Sequence, residues 1–234
     1  AEVKEKELHN KLAKLRAQYI EIAKTLHEKR KLVAKKFEKR VEEDLKAVAL
    51  EKAKFVVNFE KPEEADLSSA DADKFFTTKG FEKIEFYFSA NPGESPKPLA
   101  KVASGGEASR LMLILKTVAK TNELEKAVVF DEVDAGVGGR VAESVGLKLK
   151  ELSKTQQVMC VTHQPQVAAL ADQHFIVEKD ATGKKTTVSI RELDKTERIE
   201  EIARMLAGEN ITDTARKHAR ELIKGTKIKT KGSS

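Results

Sequence analysis

The chain is short of several things that other protein classes depend on. It has one cysteine, Cys160, so no internal disulfide can form, and a reducing compartment is the expectation. Tryptophan is absent and aromatic residues are 5% of the 234, which argues against a disulfide-stapled secreted domain or a membrane protein. With 5 prolines and 12 glycines, collagen-like and linker-like chains are excluded too. No apolar run approaches the roughly 20 residues of a bilayer span, so no membrane partner is expected. The first residues, from Ala1, are charged and contain no signal-peptide core, and the missing initiator Met points to a piece of something longer.

Charge is what the chain has in plenty. Charged residues make up 35%, well above the usual quarter. Lys and Arg number 44 against 38 Asp and Glu, a net charge of +6, with both signs interleaved nearly everywhere. That pattern permits nucleic-acid binding without demanding it. It is the composition of long solvated helices joined to a globular part, large enough for one domain or two modest ones.

Three parts follow from the pattern: an arm over 1–52, a lobe over 53–225 and a tail over 226–234. From Glu2 to about Lys52 there is no Pro or Gly, and apolar residues recur at Leu8, Leu12, Leu15, Tyr19, Ile22, Leu26 and Val33. Those steps hold a heptad seam; the later steps through Phe37, Val41 and Leu45 are all fours, as in a stutter. A helix of that length would extend roughly 75 Å. The reading preferred here is therefore one arm of a coiled coil whose partner strand lies elsewhere, rather than a helix lying on its own core.

Two β-rich runs come next, Phe55 to Phe59 and Ile84 to Phe88, the second placing Ile84, Phe86 and Phe88 on one face. Beyond Leu99 helices and strands alternate. Helices are expected near 106–120 and 140–152, and buried strands at Ala127–Phe130 and Gln157–Val161. A hairpin over 175–190 turns at Asp180-Ala181-Thr182-Gly183, two helices near 195–206 and 212–224 close the lobe, and the tail is expected to fray. Alternation of this kind implies an α/β fold with a mostly parallel sheet.

Four constellations carry chemistry. Ser104-Gly105-Gly106-Glu107 stands where a loop becomes a helix, and glycines beside a helix N-terminus let backbone N–H groups approach an anion; a plain Ser N-cap explains the same residues. The strand Val128-Val129-Phe130 ends in Asp131 and Glu132. One acid at such an edge can hold Mg²⁺ on a nucleotide and the other can orient water; alternation along the strand would point them to opposite sides. A solvated strand end is the plain alternative. Asp134-Ala135-Gly136-Val137-Gly138-Gly139 fails the dinucleotide fingerprint, since Val141 stands where a third Gly or Ala belongs, and reads as a flexible loop that repositions Asp134. His163 follows the next buried strand; a lone His is more often structural, but beside the acids it is a candidate for a γ-phosphate contact. Thr182-Gly183-Lys184-Lys185-Thr186 only mimics a phosphate loop, with Glu178 in place of the first Gly and a hairpin in place of strand–loop–helix. The chain carries no Walker A motif.

The ordered set Ser104-Gly105-Gly106-Glu107, Phe130-Asp131-Glu132, Asp134 and His163 is similar to the signature motif, Walker B, D-loop and switch histidine of ABC-type ATPases. Longer stretches, including Phe88 to Glu94, Asp131 to Gly139, Val161 to Ala168 and Ala203 to Leu206, resemble the C-terminal half of the RecN family, SMC-like ATPases of double-strand-break repair. The resemblance covers essentially the whole chain. It implies half of an ABC-type ATPase head with a coiled-coil arm, in a cytoplasmic, nucleoid-associated protein that uses ATP and Mg²⁺. It also implies three partners: the protein's own N-terminal half carrying Walker A, a second head across two sandwiched ATP molecules, and DNA bound without sequence specificity.

By the same resemblance, Asp131 holds Mg²⁺, Glu132 activates water and His163 meets the γ-phosphate. Ser104, Gly105, Gly106 and Glu107 would reach the partner head's ATP, with Asp134 near that interface. Two other classes stand beside this reading: the ATPase subunit of another ABC-type system, disfavoured by the arm, and a non-enzymatic coiled-coil scaffold.

Overall fold

The computed structural model describes residues 2–102, 105–119, 127–180 and 187–229. They belong to two compact units, Ala1–Glu43 with Lys52–Val102, and Asp44–Glu51 with Ala103–Ser234. The 53–102 stretch thus groups with the long helix, unlike the division expected at residue 52.

Helix α1 spans Glu2–Lys46, 45 residues and about 68 Å long, and all of it up to Glu43 belongs to the first unit. It stops short of the expected boundary near Lys52 because the chain turns: Ala49 takes a left-handed φ of 60°, and the Leu50 N–H donates to Leu45 O at 3.1 Å. Strands β1 (Lys54–Glu60), β2 (Lys83–Ser89) and β3 (Lys97–Pro98) form an antiparallel sheet in that order, with Phe55 opposite Phe88 and Phe59 opposite Ile84. The short helix α2 (Glu64–Leu67) lies between β1 and β2. One sheet face meets α1, where the Phe37 ring stands 5.7 Å from Phe55 and 6.1 Å from Phe86. An edge strand has outward N–H groups to satisfy. On β1, Phe55 N–H donates to Glu42 (3.2 Å) and Val57 N–H to Glu38 (2.7 Å), two carboxylates one turn apart on α1.

The contacts continue along the helix. Arg30 donates to Lys79 O (2.8 Å) and Glu82 (3.0 Å), and His27 pairs with the same Glu82 carboxylate. Tyr19 Oη donates to Thr77 O at 3.0 Å, and Arg16 pairs with Asp73 at 2.6 Å. From Arg16 to Glu42, then, α1 does lie on its own chain, which the coiled-coil reading did not expect. The heptad residues Leu8, Leu12, Leu15, Ile22 and Val33 nonetheless remain exposed. The seam is thus divided, since Tyr19, one of its residues, is taken by Thr77.

The second unit runs α3 (Gly106–Ala119), β4 (Ala127–Phe130), α4 (Gly139–Leu152), β5 (Gln157–Cys160), α5 (Pro165–Ala168), β6 (Phe175–Asp180), β7 (Thr187–Glu192), α6 (Lys195–Ala207) and α7 (Asp213–Lys229). The β4–α4–β5 crossover makes β4 and β5 parallel, Phe130 opposite Cys160. Among the described residues this is the only parallel pair; β6 and β7 are antiparallel. The chain is thus α/β, with parallel and antiparallel pairing and a long N-terminal helix. The expected hairpin turn and the glycine–lysine mimic fall largely on residues 181–186, outside the described residues, as do Ser104 and residues 230–234.

Leu111, Leu113 and Ile114 of α3 and Ala142 and Val145 of α4 are fully buried, each large aliphatic among them contributing roughly 1.5–3 kcal/mol. Gly146 lets α4 approach α5, since a Cβ there would stand 3.3 Å from Val167 Cα. Helix α6 starts with a capping box, in which Asp194 accepts from Thr196 N–H (2.7 Å) and Glu197 N–H (2.8 Å) while Glu197 accepts from Asp194 N–H (2.9 Å). Helix α7 reaches Lys229, past the tail boundary expected after residue 225.

Candidate functional site

Asp131, Glu132, Asp134 and His163 all lie just past the carboxyl ends of β4 and β5, both in the second unit. The strands stay in step one residue further, Val161 N–H donating to Phe130 O at 2.9 Å. Strand β4 itself stops at Phe130, so Asp131 and Glu132 lie in the turn after it, both exposed. Alternation along a strand therefore does not dispose them, contrary to the expectation. Glu132 has φ 57°, a conformation that costs a side-chain-bearing residue roughly 1–2 kcal/mol. Its N–H donates to Asp131 Oδ1 at 2.9 Å, and its carbonyl accepts from Ala135 N–H at 3.0 Å. One carboxylate is thus tethered to the backbone of the next residue, and the other stands on a strained corner.

Asp134 is 1% exposed, buried rather than presented. Its Oδ2 accepts from Thr162 Oγ1 and, at 3.3 Å, from His163 N–H, joining the loop after β4 to the loop after β5. The expected repositioning loop is instead a turn that holds Asp134, with Val137 N–H donating to Asp134 O at 3.3 Å. The His163 ring is largely exposed, its Nδ1 3.7 Å from Asp134 Oδ2. Gln164 Nε2 donates to Val137 O at 2.9 Å and stands 3.2 Å from His163 Nε2. An amide nitrogen only donates, so this contact is a hydrogen bond when Nε2 is the unprotonated nitrogen of the ring.

The glycine turn reaches the same loop. Gly105 has φ 140°, and Gly106 begins α3 so close to the acidic turn that a Cβ would stand 2.9 Å from Ala135 O. Glu107 follows in the first turn of α3 and is exposed. Gly106, Asp131, Glu132, Asp134 and His163 are therefore assembled in one place. Among the described residues no three His, Cys, Asp or Glu side chains converge on a metal position.

Sequence reasoning gave no role to Thr162 or Gln164, although both stand in the histidine motif. Their hydroxyl and amide find partners only once Asp134 and Val137, distant in sequence, are folded against them. It also missed Arg198 of α6, whose Nη2 donates to Ala168 O (3.2 Å), Ala169 O (3.0 Å) and Ala171 O (2.6 Å), closing the end of the short helix after His163. Burial, then the nearby Arg198 charge, holds the His174 imidazole below its ordinary pKa of 6.5. At the end of β5, burial and then the charges of Asp134 and Asp131 push the Cys160 thiol up to about 12, so it is no nucleophile at neutral pH.

Known proteins of similar sequence narrow the assignment. The chain is 44% identical over 194 residues to the DNA repair protein RecN of Halalkalibacterium halodurans, covering 83% of this chain and 33% of that protein. For RecN of Rickettsia bellii the figures are 42% over 217 residues, 93% and 38%; for RecN of Bacillus subtilis they are 40% over 209 residues, 87% and 36%. The chain belongs to the RecN family. It spans about a third of the length of these RecN relatives. No family model matches it. Among solved structures it is similar to a chain from work on ATP-driven dimerization and DNA-stimulated activation of SMC ATPases (17% identity, TM-score 0.40, 77% of this chain and 96% of that one). A second is the Smc head domain with a coiled coil and joint derived from Pyrococcus yayanosii (19%, TM-score 0.42, 86% and 36%). Those TM-scores are too low to carry a conclusion.

Proposed function

We propose that this RecN-family chain supplies one lobe of a DNA-repair ATPase head, and that ATP is hydrolysed at the carboxyl ends of β4 and β5. The observation that carries the reading is the acidic turn. It offers two exposed carboxylates, Asp131 and Glu132, the second on a strained corner, two residues before the Asp134 that accepts from the His163 N–H. A backbone conformation that costs energy at Glu132 suits work on a ligand better than a plain solvated strand end does.

The roles follow from the chemistry of each group. Mg²⁺ keeps several waters and takes one or two carboxylates plus phosphate oxygens, so a single exposed Asp131 fits it only alongside a nucleotide. That ion would neutralise charge on the phosphates. Glu132 accepts the proton of the attacking water. His163 holds a γ-phosphate oxygen, and to donate from Nε2 its ring must carry a proton there and give up the Gln164 contact. Ser104, Gly105, Gly106 and Glu107 present a small, glycine-rich edge to the ATP of a second head, and Asp134 sets the spacing between the two loops.

The remaining parts come from outside this chain. A phosphate loop is supplied by the protein's N-terminal half, and the exposed Val129, Met159 and Val161 on β4 and β5 and just beyond suit a sheet whose face is covered by elements from outside this chain. The heads pair as a homodimer around ATP, and α1 serves as one strand of a coiled coil. DNA is held through phosphate contacts without base reading, in the cytoplasm on the nucleoid. No helix among the described residues is long and apolar enough to cross a membrane.

The test is Glu132→Gln in the full-length protein. Single-turnover hydrolysis should slow by roughly 10²–10⁴-fold while Mg·ATP binding persists. Hydrolysis at the parent rate sinks the assignment. Isothermal titration of the 234-residue chain alone should find only weak Mg·ATP binding; micromolar affinity would contradict a separate phosphate-loop half.

A further inference from the structure

Two consecutive residues of α3 grip the acidic turn from opposite ends. Ser109 Oγ donates to Asp131 O at 3.0 Å, and Arg110 Nη1 donates to Ala135 O at 2.9 Å. Those carbonyls bound the segment that carries Asp131, Glu132 and Asp134. Within it, Ala135 N–H bonds back to Glu132 O, so a shift at either grip is felt at the strained Glu132 corner.

Arg110 is an unusual choice for the position. It is 5% exposed and followed by the buried Leu111, Leu113, Ile114 and Leu115, where a leucine or methionine would extend the apolar face. Burying a guanidinium is unfavourable unless it is paired and hydrogen-bonded. Its Nε has no partner among the described residues, so core stability alone gives no reason for the residue. A cationic donor to a carbonyl is stronger than a neutral one, and the long stem reaches across the first turn of α3. Gly106 makes the bond possible. A Cβ at 106 would stand 2.9 Å from both Arg110 Nη1 and Ala135 O, the two atoms that must meet.

We propose that Ser109 and Arg110 are positioning residues that hold the Asp131–Ala135 turn, and with it the Glu132 carboxylate, in register with the glycine turn at Gly105 and Gly106. The pair then works as a brace: displacement of the glycine turn moves Ala135, and displacement of the acids moves the start of α3. A ligand pressed on the glycine edge is in this way coupled mechanically to the base. The proposal rests on the reading of Glu132 as that base.

The experiment uses the full-length protein carrying Arg110→Ala, Arg110→Lys or Ser109→Ala, each alone and combined with Glu132→Gln. Mg·ATP affinity and single-turnover hydrolysis are read side by side. Arg110→Ala should leave affinity within about threefold and slow hydrolysis by about tenfold or more, since small misplacements of reacting groups have large kinetic effects. Arg110→Lys, which keeps one cationic donor, should recover part of the rate, and Ser109→Ala should slow hydrolysis by about threefold. In the Glu132→Gln background the same changes should add less than about twofold, because residues acting as a unit are not additive. Equal slowing in both backgrounds overturns the brace, because a merely structural residue behaves that way. So does an unchanged rate in folded Arg110→Ala. If Arg110→Ala does not fold, the Ser109→Ala cycle decides by the same criteria. Should Glu132→Gln hydrolyse at the parent rate, the base assignment falls and the brace falls with it; if Glu132→Gln is slow and only the brace variants run normally, the brace alone is wrong.

Discussion

The helix–sheet unit and the α/β unit both bury charged side chains, but they complete them differently. In the first, Glu82 has a side chain 2% exposed and takes His27 and Arg30 as partners, fixing α1 against the segment before β2. In the second, buried polar atoms are left without a partner among the described residues: Arg110 Nε, Gln166 Oε1, His174 Nδ1 and Arg198 Nε all belong to it, and none belongs to the first unit. Native folds satisfy nearly all such atoms, so each exception calls for a reason. Arg110 grips the acidic turn, while Arg198 closes the helix after the histidine and crowds His174. Where polar groups serve only to hold a helix on a sheet, they are satisfied. Where they hold a loop of exposed acids in place, one donor is committed and the rest of the group is carried along.

Cutting the pin in each unit tests that contrast most severely. Glu82→Ala leaves His27 and Arg30 without their shared carboxylate and should destabilise the first unit by about 2–3 kcal/mol, below the range for fully buried pairs because Arg30 keeps some solvent access. Single-turnover hydrolysis should not change. Two units need not unfold together, so hydrogen exchange on peptides from 54–89 is the suitable readout. Loss of hydrolysis at normal ATP affinity would show that the first unit is more than a mount.

Asp134→Asn is the matching change in the second unit. It weakens the acceptor for Thr162 and His163 and should cost roughly 1–3 kcal/mol. Faster exchange should appear at the amides of 131–137 and 161–164 together, with slower hydrolysis. Loosening of one loop only would mean that Asp134 does not join them.

Acid should separate the units further. The unfolded chain protonates His174 near 6.5, whereas burial beside Arg198 keeps it neutral to lower pH in the folded state. The folded state therefore binds fewer protons, and stability of the second unit should fall as pH drops below about 6.5, by at most about 1.4 kcal/mol per pH unit, until the lowered pKa is passed. His174→Gln should flatten that slope and leave the first unit's profile alone; an unchanged slope assigns the acid sensitivity elsewhere.

The smallest effect is expected on the exposed seam of α1. Leu12→Ala should shift stability of the isolated chain by less than about 0.5 kcal/mol. In the full-length protein, destabilisation above about 1 kcal/mol would show that the seam is covered there, since burial is what makes a leucine matter.

Most elements of the second unit were legible because their signals are local. The apolar run Val128-Val129-Phe130, the glycines before α3 and the capping residues Asp194 and Glu197 each announce an element within a few positions. The two sets of contacts along α1 were not equally legible. The heptad steps from Leu8 to Val33 pick out the seam, but nothing local says that Glu38 and Glu42 accept the edge N–H groups of β1, or that Tyr19 meets Thr77, 58 residues away.

The same division runs through the candidate site. Local pattern marks Ser104 to Glu107, Asp131 with Glu132, Asp134 and His163 as separate candidates at a helix start and at strand ends, and it is the resemblance of their order to ABC-type ATPases that joins them into one set. Neither says that Glu132 sits on a left-handed corner, that Asp134 is buried, or that Ser109 and Arg110 hold the turn between them. Those features come from contacts between residues 22 to 29 positions apart, Ser109 with Asp131, Arg110 with Ala135, Thr162 and His163 with Asp134. A hydrogen bond between distant residues depends on the packing of everything between them, here α3 and α4 around Leu111, Ile114 and Val145, and only the folded chain brings both ends within 3 Å or so of each other.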